Sequence, residues 1–239
     1  MTNIEKPRRS WRFRIGIAFL LAVIAGVLIY VFVPPLFTYE KLVIWSFMGW
    51  TTNSKGDIKQ VTFIFWNNGT RTIAINGFWV NGTQLNSTDW ISWRGTTLKM
   101  QEDTRICVIP KSFNFQVNAT YNFTVDTTSG SHYYFPIKCD QTNIHPENLT
   151  IMGYEFAPGT FPHDPPFIGV RYKNYGATPI IITAFYLNNT KYEMLQWTWP
   201  NVIDYASIDY GWKSQKTYII HIETIVGNVY EIVATAPSQ

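Results

Sequence analysis

Two stretches of this chain are copies of one another, and that repetition limits the fold more than any other feature. The segment NNGTRTIAINGFWVNGT, Asn67 to Thr83, lies without a gap over NYGATPIIITAFYLNNT, Asn174 to Thr190, at an offset of 174 − 67 = 107, with seven of seventeen positions identical. The same offset places Leu42 of LVI over Leu149 of LTI, and Trp90 over Trp197. Beyond that point the second copy is ten residues shorter, and YNFTVDTTSGSHYYF from Tyr121 then matches YIIHIETIVGNVYEI from Tyr218 in pattern. Repetition on this scale means one structural unit used twice. Two modules are expected, at 40–140 and 148–237, meeting at the polar, proline-containing stretch Asp140 to Asn148.

Within each copy the apolar residues alternate: Val61, Phe63 and Phe65 in the first, Ile168, Val170 and Tyr172 in the second. A period of two is that of a strand with one buried face. Asn-x-Gly follows, and then a second run, Ile73, Ile75 and Phe78 or Ile180, Ile182 and Phe185, so a hairpin is expected at this point. Another hairpin is expected in the last third of each copy, turning at Gly130 and Gly227. Aromatic residues make up 17% of the chain and charged residues only 15%, a balance that suits pleated, half-buried surfaces. The expected fold is all-β, two tandem immunoglobulin-like β-sandwiches, since the module length suits a sandwich better than a closed barrel.

Ahead of the repeat, no charged residue occurs between Arg14 and Glu40, and Ile15 to Val33 is almost wholly aliphatic or Phe. At 1.5 Å per helical residue, about twenty residues cross the roughly 30 Å hydrocarbon core. Pro34 and Pro35 end the run because neither donates a backbone hydrogen bond. A transmembrane helix over 15–35 is therefore expected, contacting lipid through Ile15–Val33. The run exceeds the 7–15 residues of a signal-peptide core, and no small-x-small cleavage site follows it. Lys6, Arg8, Arg9, Arg12 and Arg14 mark 1–14 as the cytoplasmic tail and the remainder as extracellular. The first fourteen residues hold five positive charges and one negative; subtracting that +4 from the chain's +3 leaves −1 outside. That charge gives no basic face for nucleic acid.

Cys107 and Cys139 both fall on the oxidising side, where a disulfide closing about 30 residues would contribute roughly 3 kcal/mol, with two free buried cysteines as the alternative. A metal site is disfavoured because neither cysteine has a second ligand at metal spacing. Asn-x-Ser/Thr sequons stand at Asn68, Asn81, Asn86, Asn118, Asn122, Asn148 and Asn188. With 17 Asn and 37 Ser or Thr in 239 residues, chance gives two to three, so seven indicate N-glycan acceptors. Turn preference for Asn is the competing explanation. Trp90, Trp93, Trp197 and Trp199 are candidates for a sugar-stacking or protein-binding surface, against equivalent packing of Trp90 and Trp197 in the two cores. His221 and Glu223 share a strand face as a two-ligand metal candidate, while His163 and Asp164 sit in a proline-fixed loop. No nucleophile elbow, phosphate-cradling loop or zincin helix is present.

The strand, Asn-x-Gly and second strand ending in NGT or NNT, behind an N-terminal apolar helix, resemble the β-sandwich heads of archaeal type IV pilin-like and archaellum-associated surface proteins. Arg14-Ile15, with no acidic residue in the apolar run, departs from a pilin processing site, so the helix reads as a permanent tether. Together these features lead to the expectation of a non-enzymatic, cofactor-free surface protein that binds another envelope protein or its own copies. A membrane-tethered carbohydrate-binding module and a pilus-like filament subunit are the alternatives.

Overall fold

A computed structural model of the protein describes residues 20–24, 27, 38–159 and 165–238. Residues 20–24 and 27 are helical. No helix among the described residues is long and apolar enough to cross a membrane. The basic tail, most of the expected span, and His163 with Asp164 lie outside the described residues.

The first module begins with β1 (Leu42–Thr52), β2 (Ile58–Asn67), β3 (Ile73–Val80), β4 (Thr83–Gln84) and β5 (Trp90–Ser92). It continues with β6 (Thr97–Leu98), β7 (Asp103–Val108), β8 (Thr120–Thr127) and β9 (His132–Lys138). After β10 (Ile144–Pro146) come β11 (Leu149–Ala157), β12 (Phe167–Asn174), β13 (Ile180–Leu187), β14 (Thr190–Thr198), β15 (Ile203–Asp209), β16 (Thr217–Thr224) and β17 (Val229–Thr235). In the first module the sheet β10-β1-β2-β7-β5 faces β4-β3-β8-β9, with β6 beside β3; in the second, β11-β12-β15 faces β14-β13-β16-β17. β10 lies in the stretch between the modules and pairs parallel to β1, Trp50 opposite Ile144, so that stretch is itself part of a sheet.

Each pair of sheets closes on one core. Val61, Phe63, Phe65, Ile106 and Val108 from one sheet of the first module meet Phe78, Val80, Phe123 and Val125 from the other. Ile168, Val170, Tyr172, Ala206 and Ile208 meet Ile182, Phe185, Ile220 and Ile222 in the second. The inward run changes parity within β3 and β13, from Ile75 to Phe78 and from Ile182 to Phe185. A bulge sits at the same place in both, between Ile75 and Gly77 and between Ile182 and Ala184. An extra residue flips the side chains to the other face, and so keeps both halves of the strand on the core.

The Asn-x-Gly segments do not close hairpins. β2 and β3 belong to different sheets, as do β12 and β13, so each connection crosses the sandwich. The asparagine holds the crossing: Asn67 Nδ2 donates to the carbonyls of Arg71 (2.7 Å) and Leu98 (3.0 Å), and its Oδ1 accepts from Gly69 N. Asn174 repeats this with Thr178 O (2.9 Å), Thr198 O (3.0 Å) and Gly176 N. Gly69 is required for space, since a Cβ there would lie 2.5 Å from Tyr39 O. The second expected hairpin is present in both modules as β8–β9 and β16–β17, with Gly130 and Gly227 both at φ +87°. A further shared device ties the strand that starts that hairpin: Tyr121 Oη accepts from Gln116 N at 2.7 Å, and Tyr218 Oη from Lys213 N at 2.8 Å.

Candidate interaction surface

β2 alternates, so Gln60 and Thr62 point away from the core of their own module. Polar residues there should meet water, yet they are 1% and 0% exposed. The turn end of the second module covers them. Gln60 Nε2 donates to Pro179 O at 3.2 Å, Thr51 Oγ1 to Thr178 Oγ1 at 2.9 Å, and Ser54 N to Asn228 Oδ1 at 2.7 Å. Between these bonds Cys107, Ile109 and Ile181 form an apolar cluster flanked by Ile91, Trp197 and Ile225. At its rim Trp93 and Trp199 meet edge to face with centroids 5.2 Å apart, and Trp197 stacks on Trp199 at 5.6 Å. The Arg105 guanidinium lies 4.6 Å from Trp93 and 4.4 Å from Trp199, a position favoured by the negative faces of the rings.

On the other side of this joint, Glu147 anchors the connecting stretch. Its N–H donates to Thr52 O, and its Oε1 accepts from Asn228 Nδ2 (3.2 Å) and Tyr230 Oη (3.1 Å). Burial pushes this carboxyl up to about 7, with hydrogen bonds from Thr224, Asn228 and Tyr230 opposing the rise. A hollow of about 370 Å³ opens beside it, lined by Asn53, Ser54, Glu147, Asn228 and Tyr230 among others.

The tryptophans proposed from the sequence therefore separate. Trp90 packs within the first module, 5.2 Å from Phe78, while Trp93, Trp197 and Trp199 belong to the joint, so the interface they form is internal to the chain. Trp90 and Trp197 are not equivalent: Trp197 pairs with Ile181 on β13, and the residue facing the corresponding Ala74 on β3 is Thr97.

The expected disulfide is not formed. Both thiols are free and buried, Cys107 facing the joint and Cys139 the first module's core. Opposite faces of one sheet separate them, because Cys107 lies between the inward-pointing Ile106 and Val108. Burial pushes the Cys107 thiol up to about 12, against a 3.1 Å contact with Thr62 Oγ1, and Cys139 up to about 11 with Asp140 adding to the rise. Neither is a thiolate at neutral pH.

All seven sequon asparagines are exposed. Asn81, Asn118 and Asn188 adopt φ of +50°, +65° and +46°, so turn geometry contributes to their presence. Asn81 and Asn188 also accept backbone bonds through Oδ1, from Asn122 N and Ile219 N. His221 and Glu223 do share a face, but each is engaged elsewhere. His221 Nε2 lies 2.7 Å from Glu231, and Glu223 accepts from Tyr186 Oη at 2.6 Å. No group of three or more His, Cys, Asp or Glu able to hold a metal occurs among the described residues.

Strand pairing identifies the counterpart of the covered face. Val61 pairs with Val108, and Ile168 with Ile208, so Gly169 stands where Thr62 does and Ser207 where Cys107 does. Among the described residues, that face of the second module, β11-β12-β15, carries no covering module, and the Asn148 sequon stands at its end, where β11 begins. Tyr205 lies over Gly169, where a Cβ would collide with its hydroxyl. A hollow of about 270 Å³ beside it is lined by Gly153, Tyr154, Glu155, Arg171 and Tyr205. Burial, then the charge of Glu155, pushes the Tyr205 hydroxyl up to about 12, so it is a neutral donor facing a carboxylate. The sequence signal for this set is Arg171, a charged residue between the apolar Val170 and Tyr172 of an alternating strand.

No family model and no curated protein matches the chain. Solved structures similar to it include the archaellum periplasmic stator protein FlaG from Sulfolobus acidocaldarius, at 17% identity and TM-score 0.33, covering 41% of this chain and 100% of that one. The CsuC–CsuE chaperone–tip adhesion subunit complex from Acinetobacter baumannii pili matches at 12% identity and TM-score 0.26, covering 83% and 99%. A Bacteroides ovatus mixed-linkage glucan utilization protein, SGBP-B, in complex with a heptasaccharide, matches at 9% identity and TM-score 0.23, covering 76% and 54%.

Proposed function

We propose that this chain is a non-enzymatic, membrane-anchored surface protein whose two immunoglobulin-like modules form one rigid unit and present the β11-β12-β15 face to another envelope component. The observation carrying this reading is internal: the same sheet face that is sealed by protein in the first module is bare in the second, and it bears Arg171, Glu155 and Tyr205 around a hollow. Arg and Tyr are the residue types that dominate protein-binding surfaces. The three-on-four strand order of the second module and the tyrosine tethers at Tyr121 and Tyr218 support the immunoglobulin-like assignment. The apolar stretch 15–33 would hold the unit at the membrane, and glycans at the exposed sequons would keep the remaining surface from sticking. Crosslinking of the tagged full chain in its native cells, followed by immunoprecipitation, tests the reading. An envelope protein should be recovered with wild type and lost with Arg171→Glu; equal recovery with both would count against this face.

The hollow also supports a second reading, in which Tyr205 stacks on a sugar while Arg171 and Glu155 hydrogen-bond its hydroxyls. Saturable glycan-array binding by the full chain, abolished by Tyr205→Ala, would favour it over the protein partner.

A further inference from the structure

The two modules differ in one sheet edge, and the difference leaves backbone groups open. In the first module β5 runs along β7: Trp93 N donates to Arg105 O (2.9 Å), Ile91 pairs with Cys107, and Ile109 N donates to Asp89 O (2.6 Å). The residues of β7 that face this edge are therefore 105, 107 and 109. Their counterparts on β15 are Tyr205, Ser207 and Asp209, by the pairing of Val61 with Val108 and Ile168 with Ile208.

Among the described residues the second module has no counterpart of β5, and β15 ends its sheet. At Tyr205 side chains close the edge instead: its N–H donates to Asp204 Oδ1 at 2.9 Å, and its carbonyl accepts from Gln196 Nε2 at 2.9 Å. In a strand, alternate residues direct both backbone groups to the same edge, so the N–H and C=O of Ser207 and Asp209 face outward with no described strand beside them. Both residues are exposed. An open edge of this kind is a template for another strand.

We infer that Ser207 and Asp209 of β15 pair antiparallel with the same residues of a second copy of this chain. The segment is self-complementary about Ile208. Ser207 of each copy stands opposite Asp209 of the other, which exchanges four backbone hydrogen bonds and sets a hydroxyl against a carboxylate twice. Like charges are not placed directly opposite, as they would be if Asp209 faced itself. Arg171, paired with Tyr205 across the ladder, adds a positive charge near the incoming carboxylate. The pairing uses the edge of β15 and stands apart from the partner proposed for the sheet face.

Sedimentation velocity of the full chain in density-matched detergent tests it over a concentration series. Ser207→Pro removes an outward N–H while leaving the β12 ladder bonds in place. Wild type and Ser207→Ala should dimerise, and Ser207→Pro should weaken the dimer at least tenfold. Amide exchange of wild type supplies a reading independent of any variant: Ser207 and Asp209 should gain at least tenfold protection from low to high concentration. A monomer throughout, a dimer indifferent to Ser207→Pro, or amides whose exchange ignores concentration would overturn the pairing.

Discussion

Replacing Glu147 with glutamine should flatten the pH dependence of stability in a defined window. The carboxyl is largely enclosed between the modules and is raised from 4.5 to about 7 by burial. An acid raised in the folded state binds more protons folded than unfolded, so its contribution is fully present below pH 4.5 and is lost as pH rises through 7. At 1.36 kcal/mol per unit, a rise of that size corresponds to about 3 kcal/mol as an upper bound. The amide of Glu147→Gln would keep an acceptor for Asn228 and Tyr230 without a titrating charge. Urea unfolding of the full chain in detergent from about pH 4.5 to 8 gives the difference between wild type and Glu147→Gln at each pH. That difference should move by up to about 3 kcal/mol in favour of the variant as pH rises. If the two curves run parallel, Glu147 titrates normally and the connecting stretch is open to water.

Asn174→Ala should cost about 2–4 kcal/mol in urea unfolding, because the buried carbonyls of Thr178 and Thr198 lose their donor and the crossing from β12 to β13 loses its hold; Asn67→Ala should behave alike. Tyr218→Phe, which removes only the hydroxyl accepting from Lys213 N, should cost about 1 kcal/mol by the same measurement. A loss within error would show that the tether is replaced by water.

The duplication was legible because the buried residues repeat: Phe78 and Phe185, Ile75 and Ile182 occupy matching core positions. The register beyond Thr190 was not. Pairing sets Leu98 opposite Ile73 and Thr198 opposite Ile180, an offset of 198 − 98 = 100, so a shortening of seven residues precedes Trp197 and its ungapped match to Trp90 is coincidental. The missing residues are those that would have formed a counterpart of β5. Asn-x-Gly predicts a turn because Asn and Gly favour turns, whereas Asn67 works through its side chain and Gly69 through lack of one.

Two signals for the joint were present. Ile106 to Ile109 and Ile180 to Ile182 are unbroken apolar runs, the pattern of a strand covered on both faces, where a half-exposed strand would alternate. Parity alone also sets Cys107 on the face opposite Ile106 and Val108, which removes it from the core that holds Cys139. Contacts such as Trp93 with Trp199 join residues 106 positions apart, by 199 − 93, and arise from packing that no local pattern encodes.

Thiol labelling of the native full chain tests the sealed joint most directly, because Cys107 reports the joint and Cys139 the first module's core. Mass spectrometry should find two free thiols, both protected from alkylation while the chain is folded. Trp199→Ala, which takes away the ring held between Trp93, Trp197 and Arg105, should speed Cys107 labelling at least tenfold and leave Cys139 unchanged. Rapid labelling of Cys107 in wild type, labelling of both cysteines together in the variant, or a Cys107–Cys139 disulfide would contradict a second module docked on the first.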